Sequence, residues 1–286
     1  MQFATQIRPR PSNIPMASPV LSIVSFARQV LVIGVVAGRL AVPAFGQPSP
    51  DSSAAVSSGL NQPVLVELFT SEGCSDCPPA DALLERLDAT QFVPGAQAIV
   101  LSEHVTYWNH LGWRDPFSLD AMTERQEQYV ARFGLDSSYT PQMVVDGAAQ
   151  FVGSDSAKLS AAVARAAATP KLKIAIEDAH WADGALNFSV RADNSSGATL
   201  VAALAQNATR SEVARGENAG RTLHHVAVVR VMKEFGSKAT DGRPLRLFGA
   251  VSSGTDKSGN ALRLVVFLTD RKTGHVVAAA EQILGQ

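Results

Sequence analysis

Apolar residues in this chain fall into short runs, and helical spacing interrupts them only a few times. Val64 to Phe69 is a six-residue run broken only by Glu67, and it reads as a buried strand. A polar turn, Thr70 to Gly73, leads to Cys74 and Cys77. From Ala80 to Ala89 the spacing becomes helical, and Pro78-Pro79 fit a first turn, where an N–H needs no partner. Gln97–His104 predicts a second strand. Residues 105–117, VTYWNHLGWRDPF, form an aromatic loop without a clear period. Ser118 is placed to cap a helix over Leu119 to Phe133, and Gly134 to stop it. Tyr139-Thr140-Pro141 leads into a strand at Gln142–Asp146. Asp146-Gly147 then predicts a hairpin turn, with Gln150–Val152 as the return strand. Ser154 or Asp155 caps a last helix, Ser156 to Ala168, which Thr169-Pro170 ends.

The remainder has another texture. Lys171–Glu177, Ala185–Ala192, Ala198–Gln206, Leu223–Met232, Leu245–Phe248, Ala261–Leu268 and His275–Gln282 are strand-like runs. Asp183-Gly184, Asp241-Gly242 and Gly259-Asn260 are turn dipeptides between them. Many short strands with such turns predict an antiparallel β-sandwich. The expected fold class is therefore an α/β domain over 62–169 followed by an all-β, sandwich-like domain over 170–286.

The composition, 46% hydrophobic and 18% charged, is that of a globular chain. The net charge of −1 hides an asymmetry. Residues 1–46 contain Arg8, Arg10, Arg28 and Arg39 and no acid; without those four, 21 basic residues face 26 acidic ones, a net of −5. No basic stripe remains, which argues against a nucleic-acid partner. Val30 to Val42 is apolar apart from Arg39, and Ala44-Phe45-Gly46 offers small residues at a cleavage site. This segment reads as a secretory signal or, alternatively, as an uncleaved membrane tether. Both readings place the folded part outside the cytoplasm, periplasmic or secreted. Residues 47–61 read as a flexible linker.

Candidate chemistry centres on Cys74 and Cys77, the only cysteines of the chain. A CxxC between a strand and a helix reads as a redox pair, because the helix N-terminus stabilises a thiolate. Cys74, nearer the loop, is the expected attacking thiolate, and Cys77 the resolving thiol. The plainer alternative is a static cross-link, but closing so small a loop removes little unfolded-state entropy. Asp76 opposes the helix dipole and argues against a strongly oxidising pair. His104, Tyr107, Trp108, His110, Trp113 and Arg114 share the aromatic loop. They read either as a wall over the disulfide that selects a partner or as a satellite core. A Cu or Zn site from both cysteines and His104 lacks a fourth ligand, so no metal and no cofactor is expected. His224-His225 sit on a strand and point to opposite faces, which suits a structural or interface role.

The order strand, CxxC, helix, strand, helix, proline, hairpin, helix resembles a thioredoxin fold. More closely, LFTSEGCSDCPPAD (68–81), HVTYWNHLGWRDPFS (104–118), YTPQMVVDG (139–147) and ENAGRTLHH (217–225) resemble the DUF1223 family of secreted thioredoxin-like bacterial proteins. The family pattern has acidic residues at two loop positions where this chain has Thr106 and Asn109. The resemblance implies a cis Thr140-Pro141 bond beside the cysteines whose backbone docks a partner. It also implies Glu67 as a buried proton acceptor for Cys77. The expected activity is extracytoplasmic thiol–disulfide exchange with a protein or small-molecule partner, with Trp108, Trp113 and His104 lining the partner's seat. A non-catalytic binding module is the alternative, and a metal-binding protein a more distant one.

Overall fold

The computed structural model describes residues 61–236, 238–248 and 261–284. The expected export segment, all of the linker but Asn61, and the Gly259-Asn260 turn lie outside the described residues. In chain order the elements are β1 (Gln62–Thr70), α1 (Pro78–Thr90), β2 (Ala96–His104), α2 (Asp120–Phe133), β3 (Gln142–Val145), β4 (Ala149–Val152) and α3 (Ser156–Ala167). There follow β5 (Ile174–Ala182), β6 (Ala185–Ala192), β7 (Ala198–Glu212), β8 (Thr222–Phe235), β9 (Asp241–Leu247), β10 (Leu262–Asp270) and β11 (Val276–Leu284).

Local signals explain most of the helix ends. α1 opens on Pro78-Pro79 with Cys77 as its N-cap residue, and it buries Ala80, Asp81, Leu83, Leu84 and Leu87. α2 ends at Gly134, whose φ of 64° supplies the left-handed residue of the C-cap. Its start differs from expectation. Leu119 is the N-cap residue and no side chain caps the helix, because the Ser118 hydroxyl donates to the Asp115 carbonyl instead. The Asp155 carboxylate caps α3 by accepting from the Lys158 amide. Asp241-Gly242 lies inside β9 and not in a turn. Gly242 suits the position because its φ of 83° lies in the left-handed region that favours glycine.

The strands form one eight-stranded mixed sheet, in the order β11-β10-β7-β8-β2-β1-β3-β4, and a three-stranded sheet, β5-β6-β9. This overturns the expected fold class. Among the described residues the protein is mostly β with three helices, not a thioredoxin-like α/β domain followed by an all-β domain. The joint is the edge of β2. β1 pairs parallel with β2 on one side, and β8 pairs parallel with the other, with Ser102 opposite Val228. An open strand edge carries unpaired N–H and C=O groups, and proteins cover such edges. Periodicity along the chain does not say which distant strand will do so.

β7 and β10 are buried on both faces, which accounts for their nearly continuous apolar runs. Val201, Ala203, Ala205, Val265 and Phe267 join a core with β1, β2, α1 and α3. Their alternates Leu200, Ala202, Leu204, Leu264 and Val266 pack on Leu186, Phe188, Val190 and Leu245 of the small sheet. The large sheet curls, so that β11 returns to the β3–β4 turn. The Val276 amide donates to the Asp146 carbonyl at 2.8 Å. One buried ion pair fixes this closure. Asp146 accepts from the Leu65 amide at 2.9 Å and from Lys171 Nζ at 2.5 Å, and Lys171 also donates to the Val276 carbonyl at 2.8 Å. Both side chains are only 5% exposed.

Removing one partner of a buried pair strands the other. Lys171→Met is expected to lower stability by roughly 3 kcal/mol, read as a lower urea midpoint at an unchanged slope.

Candidate functional site

Cys74 and Cys77 are joined in a disulfide, with Cα atoms 5.4 Å apart. Backbone geometry builds the turn that carries them. The Cys74 amide donates to the Ser71 carbonyl at 3.1 Å, and the Cys77 amide to the Cys74 carbonyl at 3.3 Å. The Cys77 carbonyl then accepts from the Ala80 and Asp81 amides, which opens α1. Gly73 packs tightly here: a Cβ would stand 3.0 Å from Trp108 Cβ. Both cysteines are buried, at 1% and 0% exposure, whereas Ser75 and Asp76 between them are exposed.

Residues 213–221, between β7 and β8, cover the disulfide. Asn218 is fully buried, and its Nδ2 donates to both the Glu72 and Cys74 carbonyls at 2.9 Å. Its Oδ1 accepts from Arg221 Nη1 at 2.9 Å. Glu217 accepts from the Ser75 amide at 3.1 Å. At the base of the loop, Val213 and Arg221 are joined by a backbone hydrogen bond, and so are Gly220 and Val213.

The aromatic loop packs around the same turn. Trp108 Nε1 donates to Thr140 Oγ1 at 2.8 Å, so Trp108 spans from Gly73 to the Thr140-Pro141 peptide, which is cis. Trp113 Nε1 donates to Glu72 Oε2 at 2.8 Å. His104 is fully buried and its Nδ1 is 2.7 Å from Asp115 Oδ2. Thr106 and Asn109 serve the loop itself: Thr106 meets Thr123, and Asn109 accepts from the Asp115 amide and donates to Ser118. His110 is exposed.

Beneath the disulfide lies a buried charged cluster. His225 on β8 sits between two carboxylates, with Nε2 3.4 Å from Glu72 Oε1 and Nδ1 3.6 Å from Asp81 Oδ1. These separations are ion-pair distances and too long for strong hydrogen bonds. The His225 ring also meets His104 edge-on at 4.6 Å between centroids. Burial alone would favour the neutral imidazole, but Asp81 and then Glu72 outweigh it and push His225 up to about 10. Asp115 is held down at about 2. Burial raises it, and His104 together with the Glu72 and Phe117 amides more than reverses that. Asp81 also accepts from Thr70 Oγ1 at 2.9 Å.

Glu67 lies elsewhere. Side chains alternate along β1: Leu68 packs toward Ala80 of α1, whereas Glu67 faces α2. There its Oε1 accepts from Arg125 Nε and its Oε2 from the Tyr129 hydroxyl, each at 2.6 Å. Glu103 is fully buried beside this pair, 3.6 Å from Arg125. Burial, and then the Glu67 charge, hold the Glu103 carboxyl well above the usual range. The structure thus groups Cys74, Cys77, Trp108, Trp113, His104, Thr140 and Pro141 around one turn, and it does not bring Glu67 to the cysteines. Among the described residues, no group of three or more His, Cys, Asp or Glu is arranged to hold a metal ion.

Glu72, Asp81, Asn218 and His225 were not singled out from sequence as parts of the site. Each lies within a string that carries the family resemblance, 68–81 or 217–225, and that was their only signal. Asp81, which pairs with His225, stands in the first turn of the helix that Cys77 caps. Asp81 follows Cys77 by four residues, one helical turn, and side chains on a helix lean back toward its N-terminus.

The His225 charge makes a pH-dependent contribution to stability. Its folded value is raised from 6.5 to about 10, so the contribution is complete below 6.5 and is lost as pH rises through about 10. Denaturant midpoints followed across that window should fall for the parent protein, and His225→Gln should flatten the fall. An identical decline in both would show that His225 carries no charge in the fold.

Comparison with solved structures finds a crystal structure of a protein from Agrobacterium tumefaciens, with a TM-score of 0.57 and 26% identity. The match covers 77% of this chain and 93% of that one. A search of curated proteins finds no match. The family model described as "Protein of unknown function (DUF1223)" matches residues 65–269, and the chain belongs to that family.

Proposed function

We propose that Cys74 and Cys77 are a thiol–disulfide exchange centre, working outside the cytoplasm on a thiol or disulfide partner. One observation carries this reading. The CxxC disulfide closes at the N-terminus of α1, with the ionisable Asp81–His225 pair one helical turn away. A cross-link that spans two residues does little for stability. A charged acid–base pair buried beside it is expensive, and it makes chemical sense as a place for the proton that exchange must move. An extracytoplasmic setting, where disulfides persist, fits the expected export segment.

In the reduced protein the Cys74 thiolate attacks one sulfur of a partner disulfide. A Cys74–partner bond forms, and the other half of the partner leaves as a thiolate. Cys77 then gives its proton to Asp81. The Cys77 thiolate attacks Cys74 Sγ, the protein disulfide closes, and the remaining partner thiolate leaves. Two electrons pass from the dithiol to the partner, and the reverse sequence reduces the protein. His225 holds Asp81 in place and balances its charge when the proton departs. Trp108 and the Thr140-Pro141 peptide form the wall beside the turn.

The decisive measurement is the reduction potential of the pair in the full chain, by thiol trapping in graded dithiothreitol or glutathione buffers. A reversible transition between about −120 and −270 mV supports exchange. A pair still oxidised well below about −300 mV would be a structural cross-link, and a binding module would then be the better reading.

The proton path has its own test. Asp81→Asn should slow closure of the Cys74–Cys77 bond from the mixed disulfide by about 100-fold. It should also move the thiolate absorbance titration of the reduced pair to lower pH, because a carboxylate that opposes the thiolate charge is lost. An unchanged titration would remove Asp81 from the mechanism.

A further inference from the structure

A cleft of about 440 Å³ opens between the first two turns of α1 and the start of β8. Pro78, Asp81 and Glu85 line one wall, and Arg221, Leu223 and His224 the other. We propose that this cleft seats the exchange partner, and that the partner is a small zwitterionic disulfide or thiol, an amino acid or short peptide bearing both a carboxylate and an ammonium group. The inference rests on the exchange reading above and narrows its substrate.

Position comes first. Pro78 directly follows Cys77, and Arg221 is one hydrogen bond from Asn218, which holds the Cys74 carbonyl. The cleft therefore flanks both ends of the disulfide turn. Its volume lies in the range of small-molecule sites.

Charge comes second. Glu85 and Arg221, both exposed, face each other across the cleft as an acid and a base. Asp81 on the floor is already engaged by Thr70 and His225. That leaves Glu85 for an ammonium and Arg221, with His224 beside it, for a carboxylate. Guanidinium is the side chain best matched to carboxylate geometry.

The third argument is how the disulfide becomes reachable. Both cysteines are buried, and residues 213–221 are bonded to the backbone of their turn. Asn218 holds that cover with two donated bonds and is itself held by Arg221. A substrate carboxylate is a stronger acceptor for Arg221 than an amide oxygen is. Binding would draw Arg221 off Asn218 and loosen the cover over Cys74. Recognition of the carboxylate and exposure of the sulfur then become one event, because the ligand favours the open form only through contacts it makes there.

The test uses the reduced full-length protein and four small disulfides: cystine with both charges, cystamine with ammonium alone, dithiodipropionate with carboxylate alone, and neutral hydroxyethyl disulfide. Each oxidation rate is divided by that of free dithiothreitol with the same compound, which removes intrinsic reactivity. Cystine should exceed hydroxyethyl disulfide by about tenfold or more, the scale of one charge-assisted contact. Arg221→Gln should abolish the advantage of cystine over cystamine, and Glu85→Gln its advantage over dithiodipropionate. Equal normalised rates for all four compounds would overturn the zwitterion assignment while leaving exchange intact. So would a preference for a disulfide-scrambled protein over every small disulfide. Failure of all compounds to oxidise the pair would overturn the exchange reading, and this inference with it.

Discussion

The structure depends on the docking of β8 against the free edge of β2. That parallel contact joins strands far apart in the chain, with Ser102 opposite Val228, 126 positions later. It also carries His225 into the space under the CxxC turn and swings residues 213–221 over the disulfide. Without β8 the turn would keep its backbone hydrogen bonds and its helix N-terminus. It would lose its cover, its imidazole and the partner that keeps Asp81 and Glu72 paired while buried.

Two kinds of buried carboxylate appear on the two faces of β1 and β2. On the α1 face, Glu72, Asp81 and Asp115 lie within ion-pair distance of His104 or His225, out of water. On the α2 face, one arginine serves two carboxylates. Glu67 takes the close contact, and Glu103 has no hydrogen-bond partner on either oxygen. Burial and the Glu67 charge both favour the protonated form of that second carboxyl. Burying a charged network is a poor route to stability compared with apolar packing. Its concentration under the one disulfide of the chain is what gives the α1 face a chemical meaning.

The aromatic loop links these parts. Trp108 bonds Thr140 and crowds Gly73, and Trp113 bonds Glu72 and crowds Gly216 of the covering loop. The two tryptophans thus tie the CxxC turn to the cis peptide on one side and to the cover on the other. Phe69, Val105, Tyr129 and Val144 form a small separate core on which Tyr107 and Trp108 pack.

Local chemistry could be read from the chain because it is local. Pro78-Pro79, Gly134, Asp155 and Asp183-Gly184 act through backbone dihedrals and nearby hydrogen bonds, and most strands announced themselves by apolar runs, β9 with its polar start being an exception. The CxxC ahead of a helix was legible for the same reason. Ser118 failed as a cap because a competing carbonyl, that of Asp115, lay within reach of its hydroxyl. What the tertiary structure alone decided was pairing across long separations. Two strands with similar apolar faces do not specify which edge each will cover, so β8 on β2 could not be derived from periodicity, and the expected division into two folds went with it. The face on which Glu67 points follows from the register of β1, but its partners Arg125 and Tyr129 follow from where α2 packs. The site is therefore half local and half assembled: the sequence determined the disulfide turn, and the fold supplied the acid–base pair and the cover.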